Sequence, residues 1–179
     1  MLAITVPEVE VWNEKNQEFH VIKEQKLKLE HSLVSISKWE SKWKQIFFSK
    51  TPKTYEQTID YIKCMTITQN VNPEVYSVLT NENIEDINEY IQDPMSATTF
   101  SDNSNVPNRE IISSELIYYW MIAMNIPMEC QKWHINRLLT LIRICGIKNQ
   151  PNKKMSRSKI LSRNAALNAA RRQKLKSKG

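Results

Sequence analysis

Two glycines in 179 residues, Gly146 and Gly179, constrain this chain more than any other feature of its sequence. Phosphate-binding loops, dinucleotide fingerprints and nucleophile elbows need glycine where the backbone turns sharply or meets a ligand, so none of them can be built here. The composition offers Ile, Leu, Lys and Glu instead, which favour helices. At 41% hydrophobic, the chain can bury one modest core, which fits one domain and a tail.

Charge is segregated along the chain. All 19 acids lie at or before Glu129, whereas 14 of the 25 Lys and Arg lie beyond it. Residues 1–130 hold eleven cations against nineteen acids, a net of −8, and residues 131–179 carry +14 with no carboxylate. A self-contained domain gains nothing from such a split, because mixed charges suppress self-repulsion better. It points to a partner: nucleic acid, an acidic protein, or the acidic body of another copy. Cys64, Cys130 and Cys145 are too few and too widely spaced for a disulfide framework, and no secretory signal precedes them, so reduced thiols are expected. The longest uncharged apolar block, Leu116 to Met128, is broken by Pro127 and too short to span a bilayer, so no membrane role is expected.

The expected fold is mainly α, with an N-terminal β-hairpin ahead of a helical body. In residues 1–31, Ile4, Val6, Val9 and Val11 alternate before the polar Asn13-Glu14-Lys15-Asn16, and Phe19 and Val21 follow it, which predicts a hairpin with a third short strand at Lys26 to Glu30. Residues 32–92 change period. Ile36, Trp39, Trp43 and Phe47 predict a helix after Ser32 ended near Pro52, and a Thr54/Gln57 capping box opens a second helix. Asn81 is expected to cap a third helix that buries Ile84, Ile87 and Ile91 and exposes Glu82, Glu85, Asp86 and Glu89, an acidic face for a partner. Residues 93–110 are polar, twice punctuated by proline, and read as a linker.

Residues 111–147 are the densest apolar region and predict an antiparallel helical hairpin. One helix starts at Ser113 or Ser114, and the next runs from about Pro127 to Cys145 and is stopped by Gly146. Consecutive aromatics cannot share one helix face, so Tyr119, Trp120 and Trp133 divide between core and interface, with Trp120 and Trp133 expected inside. Residues 148–179 are a basic tail with a last helix from Ser156, whose thin apolar stripe calls for an external partner. Lys153, Lys154, Arg157, Lys159, Arg163, Arg171 and Arg172 are its candidate binding residues.

Cys130 and His134 fall four apart on one face of the predicted helix, which raises a metal site or a nucleophile pair. Cys145 lies too far along to close a tetrahedron, and a nucleophile would lack the exposed turn and oxyanion hole it needs. No catalytic, cofactor-binding or metal-binding residue is therefore expected. The basic tail suits phosphate backbone by charge but has no aromatic on which to stack bases, which leaves a protein partner ahead of nucleic acid.

The run Glu115-Leu-Ile-Tyr-Tyr-Trp-Met-Ile, the run Ile126-Pro-Met-Glu-Cys-Gln-Lys-Trp-His-Ile-Asn-Arg-Leu-Leu-Thr-Leu-Ile, and Lys154-Met-Ser with Arg163-Asn-Ala-Ala-Leu-Asn-Ala-Ala-Arg-Arg resemble a family of tailed-bacteriophage proteins, the tail assembly chaperones of long-tailed phages. Leu29-Glu-His-Ser-Leu, Trp39-Glu-Ser-Lys-Trp and Thr66-Ile-Thr-Gln-Asn are similar as well, so that the likeness covers most of residues 26–175. The resemblance implies a non-enzymatic factor of the host cytoplasm that coats the long helical tape-measure protein, keeps it soluble and recruits tail-tube subunits. It implies no individual functional residue. The opposite charges of the basic tail and of Glu82, Glu85, Asp86 and Glu89 lead to the expectation of head-to-tail self-association into a ring or filament. Two other readings stay open: a structural virion component at the head-tail connection or baseplate, and a small nucleic-acid-binding protein that uses the basic tail.

Overall fold

Alternating apolar residues build the N-terminal element. In the computed structural model, which describes residues 1–13, 17–100, 111–149 and 157–175, β1 (Leu2–Val6) pairs antiparallel with β4 (Gln25–Leu29), and β2 (Val9–Asn13) with β3 (Glu18–Ile22). In both ladders the partners' numbers add to 31, so the register passes unchanged through the interruption at residues 7–8 and 23–24. Pro7 has no N–H to give, which is enough to open the ladder there. The third strand expected at residues 26–30 is thus one arm of a four-strand ribbon. The turn expected at residues 13–16 falls largely outside the described residues.

The interruption changes which face of the ribbon is covered. Ile4, Val6, Leu27 and Leu29 are buried in the first half, whereas the second buries Ile22 and leaves Trp12, Phe19 and Val21 exposed on the opposite face. Beyond β4, Ser32 caps α1 (Leu33–Trp43) in a capping box with Ser35. The helix stops at Trp43 rather than running to Pro52, and Lys44 turns the chain in the left-handed region at φ 54°. The buried Glu40 carboxylate explains the stop. Its oxygens accept the backbone N–H groups of Phe47 (2.7 Å) and of Ser114 (2.8 Å), which pulls the chain off the helix axis. Phe47 still reaches the core, 5.4 Å from the Trp39 ring and 4.3 Å from that of Tyr61.

Thr54 and Gln57 form the predicted capping box of α2 (Tyr55–Met65). The segment after it joins the free edge of β4, through Glu30 N–H to the Met65 carbonyl (2.9 Å) and Ile67 N–H to the Lys28 carbonyl (2.8 Å). A short 3-10 helix at Pro73–Ser77 leads to α3 (Asn81–Gln92), which is capped by Thr80, one residue before the expected Asn81.

Both helices expected at residues 111–147 form, but not as a packed hairpin: the first lies mainly against α1, and the second begins late. After α4 (Ser114–Ala123), a 3-10 turn at Met128–Lys132 precedes an extended break at Trp133 and His134, and α5 (Ile135–Asn149) begins only then. Residues 133–134 are drawn out because Ser32 bridges His134 and the His31 carbonyl takes the Ile135 N–H at 2.7 Å. Gly146 does not stop α5, since one interior glycine costs only about 1 kcal/mol relative to alanine.

Residues Met1–Ile147 form one compact unit and Lys148–Gly179 a second. The core of the first gathers Ile4, Val6, Leu27 and Leu29 of the ribbon with Leu33, Ile36 and Trp39 of α1, Ile62 and Met65 of α2, Ile117 and Met121 of α4, and Ile135 and Leu138 of α5. The second holds α6 (Arg157–Leu175), which has no buried residue.

Glu40→Ala leaves two buried N–H groups without an acceptor and is expected to destabilise the body by about 2–4 kcal/mol. Glu40→Gln keeps one acceptor but turns an amide N–H2 toward the other backbone N–H, and is also expected to destabilise, because two donors then face each other. Urea unfolding followed by tryptophan fluorescence reads both.

Candidate functional site

The residues that sequence reasoning selected lie on surfaces rather than around a cavity. Glu82, Glu85, Asp86 and Glu89 are all exposed on α3, whose other side buries Asn83, Ile87 and Tyr90. Among the described residues none of the four is in an ion pair. A shallow groove of about 320 Å³ runs along this face, lined by Leu2, Asp86, Glu89, Tyr90 and Asp93.

Arg157, Lys159, Arg163, Arg171 and Arg172 all project from α6 into solvent, whereas Lys153, Lys154 and the expected cap Ser156 lie outside the described residues. Ile160, Leu161, Leu167 and Leu175 of the same helix are exposed too. At 100° per residue these four spread over about 120° of the helix and share that arc with Arg157 and Arg171. No dry stripe results.

Tyr119 is 63% exposed, and Trp120 and Trp133 are half-buried at the margin of the core. Trp133 is covered by the Arg137 guanidinium, 4.4 Å from its ring centroid, which accounts for its incomplete burial. Cys130 and His134 are both buried, but the break at residues 133–134 puts them on different elements instead of one helical face. Among the described residues no group of three or more His, Cys, Asp or Glu is placed to hold a metal.

Two features escaped the sequence. One is the outward pair Trp12 and Phe19, cross-strand partners with ring centroids 4.9 Å apart and exposures of 48% and 67%. Alternation alone would have put them on the covered face. The other is a buried polar junction that joins four segments far apart in sequence. His31 hydrogen-bonds the Tyr61 hydroxyl through Nδ1, and its ring lies 5.0 Å from that of His134. His134 donates from Nε2 to the Tyr90 carbonyl at 3.0 Å, and the Tyr90 hydroxyl donates to Glu30 at 2.6 Å. Spacings of this kind carry no local signal.

Burial and the neighbouring His134 push the His31 pKa down to about 3, and burial pulls His134 down as well against the opposing hydrogen bond to Tyr90. Both rings are therefore neutral at pH 7, and the charge in the junction stays at its edge, where Glu30 pairs with the Met1 ammonium at 3.1 Å. A scan against protein-family models, a search of curated proteins and a search of solved structures each returned no match.

Because the unfolded chain binds a proton on His31 near pH 6.5 and the folded chain does not, the stability it contributes is complete above about pH 6.5 and is lost as pH falls toward 3, and His134 acts in the same direction. Unfolding free energy is expected to drop between pH 6.5 and 5 by up to about 1.4 kcal/mol per pH unit from His31, with His134 adding in the same direction. His31→Gln, measured by urea titration across that range, should flatten the slope.

Proposed function

We propose that this chain is a tail assembly chaperone of a long-tailed bacteriophage, a non-enzymatic binder that holds the tape-measure protein through α6 in the host cytoplasm and brings tail-tube subunits to it. The observation that carries this reading is α6 itself. A helix of 19 residues with no buried residue, no acid and no dry stripe has no burial on its own chain to offset its ordering entropy. A long, largely helical client supplies a repeated surface against which such a helix orders. The exposed side of α4, with Tyr119 and Ile122, adds an apolar contact suited to a client that aggregates when free.

A structural role in the virion, at the head-tail connection or baseplate, is the second reading. The outward Trp12 and Phe19 favour it, because an aromatic face on a two-stranded ribbon suits lasting burial against a neighbour. Purified mature particles distinguish the two, since a chaperone is absent from them.

Co-expression with the tape-measure protein tests the first reading. Removal of residues 148–179 is expected to lower the soluble tape-measure fraction at least about tenfold, the effect of losing about 1.4 kcal/mol of binding. Undiminished tape-measure binding by the shortened chain, together with retention of the full chain on duplex DNA near physiological salt, would make nucleic acid the partner of the tail.

A further inference from the structure

At one end each, the charges on α3 and α6 oppose the helix dipole, although Glu82 at the start of α3 and Arg172 and Lys174 in the last turn of α6 complement it. Glu89 and Asp93 sit at the C-terminal end of α3, where the helix dipole is already negative, and its last turn holds no cation. Arg157 and Lys159 open α6 at the positive end of its dipole, and its first turn holds no acid. Each arrangement is unfavourable alone, and each is relieved by the other.

Stereochemistry matches the charges. At 100° per residue, Glu82, Glu85, Asp86, Glu89 and Asp93 occupy an arc of about 100° on α3, so like charges stand three and four residues apart and repel. On α6, Arg157, Arg163, Arg171 and Lys174 fall within an arc of about 120°. At 1.5 Å per residue, Arg157 and Arg163 are about 9 Å apart along the axis, and Asp93 and Asp86 about 10 Å. Arg157 over Asp93 therefore sets Arg163 beside Asp86 and brings Arg171 within side-chain reach of Glu82, provided the helices run antiparallel.

We infer that α6 of one copy docks antiparallel along the acidic stripe of α3 on a second copy. Net charge favours a second copy over nucleic acid: residues 1–147 hold fourteen cations against nineteen acids, a net of −5, which a phosphate backbone would repel, whereas residues 148–179 carry eleven cations and no acid. The contact joins different surfaces of the two copies, so it propagates head to tail and does not close as a two-fold dimer. It uses the same helix as the proposed client, so a second copy and the client compete for α6, and measurements without client read the self-contact alone.

Light scattering on the full-length chain tests it. Self-association is expected at about 50 mM salt and is expected to weaken at least about tenfold by 1 M, where screening acts within about 3 Å. Two neutralised chains sharpen the test, with circular dichroism to confirm that each folds. One carries Glu82→Gln, Glu85→Gln, Asp86→Asn and Glu89→Gln, and the other Arg157→Gln, Arg163→Gln and Arg171→Gln. Each alone should be monomeric, and a mixture should form a 1:1 dimer that grows no further. Polarity is read by rescue: Asp93→Arg on one chain should restore binding to Arg157→Glu on the other, and Glu82→Arg should not. A monomeric wild-type chain at low salt, salt-independent association, or no dimer in the mixture would overturn the contact. Rescue by Glu82→Arg would overturn its antiparallel sense.

Discussion

The body depends on a polar junction, built around two neutral imidazoles, where the chain leaves β4 and enters α1. Within six residues, Glu30 takes the Tyr90 hydroxyl and gives its N–H to Met65, the His31 carbonyl takes the Ile135 N–H, and Ser32 caps α1 while bridging His134. Ribbon, α1, α2, α3 and α5 are fixed relative to one another by these few polar groups, which are buried and therefore intolerant of being left unpaired. The apolar core fills the space that this junction defines. Hydrophobic burial supplies the driving force, while the hydrogen bonds select one arrangement among those that would bury similar area.

Charge acts on a different scale. The body carries a run of acids on the exposed face of α3, where water solvates them cheaply, and α6 carries cations and no acid. The polypeptide therefore holds two surfaces with the same unmet requirement and opposite sign. Screening at high salt satisfies both without a partner, so the state of the chain follows ionic strength in a way that its packed core does not.

The legible parts of the fold are those whose causes lie within a few residues. Ser32 with Ser35 and Thr54 with Gln57 announce helix starts because a cap is a four-residue event, and the acidic face of α3 follows from its period alone. The early end of α1 was hidden because Glu40 answers to Ser114, 74 residues away. The break before α5 was hidden because its cause is the His31 carbonyl. Of the candidate surfaces, the charged helices could be read from composition and spacing. The outward turn of Trp12 and Phe19 could not, since it arises where Pro7 opens the ladder and the ribbon changes its covered face.

Left-handed backbone at Lys44 has a consequence for the whole chain. Gln17, Asn70, Met95 and Asn125 share that conformation, so all five left-handed turns of the described residues are made by side-chain-bearing residues, each at about 1 kcal/mol of native strain. A chain without glycine at its turns also has a narrower unfolded ensemble, and so loses less conformational entropy when it folds. The scarcity of glycine thus shapes the denatured state as much as the native one, and the tightness of the fold owes part of its origin to a chain that was never very free.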